Sequence, residues 1–158
     1  MSIKHIIMSL LMFAVIAAIA TSAYAANEDD GHRKLVGTWL CDVPGEPSFR
    51  SLQTFHADGT LTETSSLLAQ GQEGPAHGVW SRNAGKYQIT FQLFTFDPDT
   101  GESTGMFRVL ANLKVDSPDH LTATNGVLEF IDLDGNITEV VNGPDFYTCS
   151  RLKVVPVP

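Results

Sequence analysis

After Leu35 the chain is cut into short runs of alternating apolar and polar residues, and clusters of Asp, Asn, Gly and Pro separate one run from the next. An alternation of two buries one face of a strand and leaves the other wet, and no apolar period of 3.6 persists long enough to make a helix. The runs predict strands at Val36–Val43, Phe49–His56, Thr60–Leu67, His77–Arg82, Tyr87–Phe96, Thr104–Val115, His120–Ile131, Ile137–Asn142 and Phe146–Val154. Between them lie Ala57-Asp58-Gly59, Asn83-Ala84-Gly85, Asp97-Pro98-Asp99-Thr100-Gly101, Asp116-Ser117-Pro118 and Asp134-Gly135-Asn136, which supply the positive or preset φ of tight turns. The pattern is that of an all-β meander, and strands of this kind must stack as a sandwich or close as a barrel.

Parity assigns the faces. Phe107, Val109, Ala111, Leu113 and Val115 share one side of their strand, with Met106, Arg108, Leu110, Asn112 and Lys114 on the other. Tyr87, Ile89, Phe91 and Leu93 likewise share a side, but Phe94 and Phe96 fall opposite, which predicts a bulge or a strand end buried on both faces.

The first residues read differently. Lys4 and His5 precede an apolar run from Ile6 to Ala20, and Ala23-Tyr24-Ala25 offers the small residues of a cleavage site. Residues 1–25 are therefore expected to be a signal peptide and residues 26–158 a single exported domain, periplasmic or secreted. The run is shorter than the ~20 residues that span a bilayer. No cysteine follows the cut to carry acyl chains, so no membrane anchor is expected after cleavage. With 10 basic against 18 acidic residues and a net charge of −8, the chain would be repelled by a phosphate backbone, so nucleic acid is not an expected partner.

Cys41 and Cys149 are the only cysteines. An even count in an oxidising compartment predicts a disulfide, closing a loop of roughly 100 residues and worth about 4–5 kcal/mol in the chain-entropy model. The pairing has a geometric consequence. If Cys41 faces Cys149 on adjacent antiparallel strands, Trp39 faces Arg151 on the same side of the sheet, where a guanidinium over an indole is favourable. First and last strands would then be neighbours, as a closed barrel requires. In a simple meander that closure needs an even strand count, and nine runs are one too many. Asn142-Gly143-Pro144 is read as a bend inside one long last strand, which leaves eight; Asn125-Gly126 is either a bulge or a further hairpin turn.

Leu35-Val36-Gly37-Thr38-Trp39 resembles the first signature of lipocalins, a Gly-x-Trp opening the first barrel strand, and the polar lead-in Glu28–Lys34 resembles the turn that plugs their closed end. The resemblance implies structural roles for Gly37 and Trp39, with Arg151 as the basic residue that packs across the tryptophan from the last strand. The later Thr-Asp-Tyr signature of that family is not found, and no helix follows the last strand. Gly37-Thr38-Trp39 and the hairpin from Ala57 to Thr62 are also similar to avidins, whose biotin site uses several tryptophans; this chain has only Trp39 and Trp80. Thr54–Thr60 followed by Gly74–Trp80 resembles secreted bacterial lipocalin-like proteins of uncharacterised function, which implies a fold and no reaction.

Candidate chemistry is sparse. His32, His56, His77 and His120 lack the spacing of a local metal site, so no metal or other cofactor is expected. Asp97, Asp99, Asp132 and Asp134 are not spaced as a calcium loop and read as turn residues. No Gly-x-Ser-x-Gly elbow or phosphate-cradling glycine motif occurs. Asn136-Ile137-Thr138 matches a glycosylation acceptor. Glu63 shares a face with Leu61, Ser65 and Leu67, and inside a barrel its pKa would rise towards a useful acid or base value. The Gly-rich loop Leu68–Pro75 could cap an open end.

The expectation is thus a single antiparallel up-and-down β-barrel, lipocalin-like, of about eight strands and sealed by Cys41–Cys149. It binds a small apolar molecule without catalysis. Phe55, Tyr87, Phe91 and Phe107 would form the wall, with Gln53 and Glu63 as orienting groups. The alternatives are a barrel enzyme of cyclase or isomerase type, with Glu63 and His77 as acid and base, and a solid-core module that meets a protein partner of unknown kind.

Overall fold

A computed structural model describes residues 34–45 and 48–157, so the expected signal peptide, His32 and most of the lead-in from Glu28 lie outside the described residues. Eight antiparallel strands follow one another around a closed barrel. They are β1 (Gly37–Val43), β2 (Phe49–Phe55), β3 (Thr60–Ser65), β4 (Ala76–Asn83), β5 (Lys86–Phe96), β6 (Ser103–Ser117), β7 (His120–Ile131) and β8 (Ile137–Arg151). A turn of 3-10 helix, Ser66–Gln70, follows β3. Each strand pairs with the next, and β1 returns to β8 with Trp39 opposite Arg151 and Cys41 opposite Cys149. The register expected from the cysteines is the register found, and the two are joined as a disulfide.

The turns follow from their aspartates. Asp58 accepts from the Thr60 amide, Asp97 from the amides of Asp99 and Thr100, and Asp132 from those of Asp134 and Asn136. A short side chain that binds its own backbone two or more residues on replaces the ladder bonds the chain gives up in reversing.

Two irregularities settle points the alternation left open. Phe94 and Phe96 do not mark a change of face: Leu93 and Thr95 stay inside while Phe94 is 59% exposed. The expected bulge is present between them, where the register of β5 against β6 shifts between Thr95 and Phe96. Asn125-Gly126 is a bulge and not a turn, since Leu110 pairs with Val127 and Asn112 with Thr124. Asn125 takes φ 51°, a conformation asparagine tolerates better than most residues. The bend at Asn142-Gly143-Pro144 lies within β8, so eight strands close the ring.

One end of the barrel is solid. Trp39 is fully buried there and donates its indole N–H to the Leu35 carbonyl at 2.9 Å. The Arg151 guanidinium lies 4.1 Å from its ring centroid and donates to the carbonyls of Val36 and Pro118. Gly37 makes room for it: its φ is +130°, and a Cβ there would stand 2.7 Å from Nη1 of Arg151. Phe55, Trp80 and Tyr87 stack in succession behind, with ring centroids 6.3 and 6.2 Å apart. Burying these large rings contributes favourably to the fold.

At the other end a further bulge aims two successive side chains inward. Ala123 pairs with Tyr147 but Thr124 with Asp145, leaving Phe146 as the extra residue of β8. Its ring lies on Gly126, where a Cβ would come within 2.2 Å of Cγ. Gly126→Ala is therefore expected to destabilise the protein by about 1–3 kcal/mol through overpacking. Urea unfolding of the variant and the parent measures the difference; equal midpoints would show that the ring moves aside freely.

Candidate functional site

The inward residues near the ends of β1, β3, β5 and β7 do not fill the barrel. They enclose a cavity of about 230 Å³ at the end opposite Trp39. Phe49 of β2, Phe91 and Leu93 of β5, Phe107 and Val109 of β6, Leu128 of β7 and Phe146 of β8 supply its apolar wall. Ser51 and Gln53 of β2, Glu63 of β3, Glu73 of the β3–β4 loop and Tyr147 of β8 supply its polar groups. The cavity is also bordered by Val43, Pro44, Phe49, Phe146 and Tyr147, which line a cleft on the outer surface beside β1 and β8.

Those polar groups form a connected set. Tyr147 donates its hydroxyl to Gln53 Oε1 at 3.1 Å, and Gln53 Nε2 reaches Ser51 Oγ at 3.5 Å. The Ser51 hydroxyl bonds Glu63, and the Ser65 hydroxyl donates to Glu73. Glu73 arrives from the Gly-rich loop, which lies along the end of β5: Gly74 donates to the Phe94 carbonyl at 2.8 Å, and Glu73 and Thr95 form an isolated bridge. The loop thus carries one carboxylate, Glu73, inward to the cavity wall.

Burial sets the electrostatics. Glu63 and Glu73 are only 6% and 7% exposed. Desolvation pushes the Glu63 carboxyl up to about 7; repulsion from Glu73 adds to this and the Ser51 hydrogen bond opposes it. Desolvation likewise raises Glu73, against the bond from Ser65. It also holds the Tyr147 phenol well above its ordinary range, so this group stays a neutral donor. Glu63 Oε2 is buried and has no hydrogen-bond partner. No lysine, arginine or histidine lines the cavity among the described residues.

No family model, curated protein or solved structure matches this chain. The barrel and its cavity are what bear on function.

Of the residues expected at a site, Gln53, Glu63, Phe91 and Phe107 lie together on the cavity wall. Phe55 and Tyr87 point inward as parity requires, but they belong to the solid end with Trp80. Alternation assigns a residue to a face and says nothing of its height along the axis. Glu63 and His77 are not brought together: Glu63 pairs with Ala76, and the next residue, His77, points outward and is exposed. The acid and base expected of a barrel enzyme are thus split across the sheet, and the group that does approach Glu63 is Glu73. Gly37, Trp39 and Arg151 hold the solid end and take no part in the cavity wall. Ser51, Glu73, Phe146 and Tyr147 escape the sequence reading. Ser51 and Tyr147 were within reach of parity, since they share a face with Gln53 and with Cys149; Glu73 lies in a loop and Phe146 on a bulge, where parity fails.

Proposed function

We propose that the chain is an exported, lipocalin-like binding protein that holds one small, largely apolar molecule in the cavity between Phe91, Phe107 and Phe146. The observation that carries this reading is the cavity itself, an apolar chamber at one end of a barrel whose other end is solid, with a few convergent polar groups in its wall. This is the usual form of a small-molecule site. The cavity volume limits the occupant: a cavity of about 150 Å³ holds benzene, so this one suits a molecule of roughly ten non-hydrogen atoms and not a long acyl chain.

The Gly37, Trp39 and Arg151 cluster supports the lipocalin-like reading, because tryptophan and arginine meet across the closing strands as that resemblance implies. The Cys41–Cys149 disulfide supports an oxidising location after removal of residues 1–25. Native mass spectrometry tests the whole reading on mature protein purified from an oxidising compartment without detergent. The expected result is a mass two protons below that of the free thiols, with an adduct of roughly 100–200 Da that is lost on denaturation. A protein that stays bare after incubation with metabolite and lipid extracts would overturn the binding function.

A further inference from the structure

The cavity's hydrogen-bonding capacity is unbalanced. The Tyr147 hydroxyl is committed to Gln53, the Gln53 amide to Ser51, the Ser51 hydroxyl to Glu63 and the Ser65 hydroxyl to Glu73. These bonds use the Tyr147, Ser51 and Ser65 hydroxyls and one of the two Gln53 amide N–H groups, and the buried cavity atom without a partner is an acceptor, Glu63 Oε2. A second carboxylate, Glu73, lines the same space, and no cationic side chain does among the described residues. Around these groups stand the rings of Phe91, Phe107 and Phe146.

We propose that the ligand is a small protonated amine, an ammonium group on a compact apolar body, held at Glu63 with Glu73 beside it and its body among the phenylalanines. The proposal deepens the binding reading above and rests on it. An ammonium brings donors and positive charge to a site that has spare acceptors and negative charge, and an aromatic wall attracts a desolvated cation. An anionic ligand would meet two carboxylates and no counter-charge. A hard metal ion takes six or more oxygen ligands or near-octahedral geometry, which two carboxylates in an apolar chamber do not offer. The excess negative charge of the chain, −8 overall, also draws cations towards the molecule.

The groups that face Glu63 determine its pH response. Ser51 and Gln53 on β2 are neutral, Ala76 on β4 is apolar, Tyr147 on β8 stays protonated, and Glu73 is the only other ionisable neighbour on the wall among the described residues. Binding should therefore strengthen as pH rises through the range where Glu63 ionises.

Calorimetric titration of the mature protein at about pH 7.5 with benzylamine, benzyl alcohol and benzoate varies the charge on one ring of constant size. Benzylamine is expected to bind at least roughly tenfold more tightly than benzyl alcohol, with benzoate weakest. Glu63→Gln should cost benzylamine about tenfold or more, leave benzyl alcohol within about threefold, and abolish the gain in benzylamine affinity between about pH 5.5 and 8. The thermal midpoint of the variant, at or above that of the parent, shows that it is folded. Benzyl alcohol binding as tightly as benzylamine, or a Glu63→Gln variant that keeps its preference for the amine, would overturn the amine assignment and leave the cavity as a binding site. Failure of all three probes overturns the amine assignment, and bare protein in native mass spectrometry would then remove the binding function with it.

Discussion

Replacing Cys41 and Cys149 together by alanine is expected to lower the free energy of unfolding by about 4–5 kcal/mol. The bridge spans 108 residues of sequence, and closing a loop of that length removes this much chain entropy from the unfolded state. Its position makes the loss consequential. β1 and β8 pair through only four residues each, Trp39 to Asp42 against Thr148 to Arg151, and the disulfide sits within that short seam. Every other junction of the barrel joins strands that are consecutive in the chain, so the seam alone must bring distant ends together. For a domain of ordinary stability the change is a large part of the total. Urea unfolding of oxidised and reduced protein, and of the double variant, measures it. A difference under about 1 kcal/mol would mean that the Trp39 and Arg151 contacts close the ring without covalent help.

The second large effect is electrostatic. At about pH 8 the ligand-free Glu63→Gln variant should be more stable than the parent by about 3 kcal/mol, and at pH 4 it should gain nothing. The sign follows from the direction in which burial moves the carboxyl. Its folded-state pKa rises from 4.5 to about 7, so below 4.5 the group is protonated in both states and costs nothing. Between 4.5 and about 7 the unfolded chain releases its proton first, and stability falls as pH rises. Above 7 the loss is complete, at about 1.4 kcal/mol for each tenfold difference in proton affinity between the folded and unfolded chain. Glu73 is raised in the same direction and steepens the fall. The exposed aspartates act in a separate window. Asp58, Asp97, Asp116 and Asp132 have lowered values, so their contribution is present above 3.8 and disappears only as pH falls through the lowered values. The parent should therefore be most stable between about pH 4 and 4.5. Thermal unfolding from pH 3 to 8 on parent and variant checks this, and equal destabilisation of the variant at both ends of the range would refute it.

How much of this was legible depended on whether a residue obeyed the alternation. Cys41, Trp39, Cys149 and Arg151 lie on regular strands, so a single assumed pairing fixed their mutual register and with it the closure of the barrel. Gln53, Glu63, Phe91 and Phe107 were placed on the inner face for the same reason. Parity carries no information about depth, and it put Phe55 and Tyr87, which are packed against Trp80, in the same group as the cavity wall. Glu73 reaches the interior from a loop and Phe146 from a bulge, and neither position has a face that sequence can assign. Glu63 and His77 looked like neighbours because β3 and β4 are consecutive. The one-residue offset between His77 and Ala76 sends the imidazole out and leaves the carboxylate in.

The shortness of the β1–β8 seam leaves another mark on the molecule. Ahead of Thr148, the side of β8 turned away from β7 has no strand partner among the described residues, and this stretch carries exposed Ile137, Val140 and Val141. A bare apolar edge of this length is a template on which another chain can add a strand. Pro144 interrupts it by removing an amide donor, Glu139 and Asp145 place charge along it, and the bulge at Phe146 breaks its straightness. The bulge that brings Phe146 and Tyr147 to the cavity also leaves the outside of the barrel a poor surface for self-assembly.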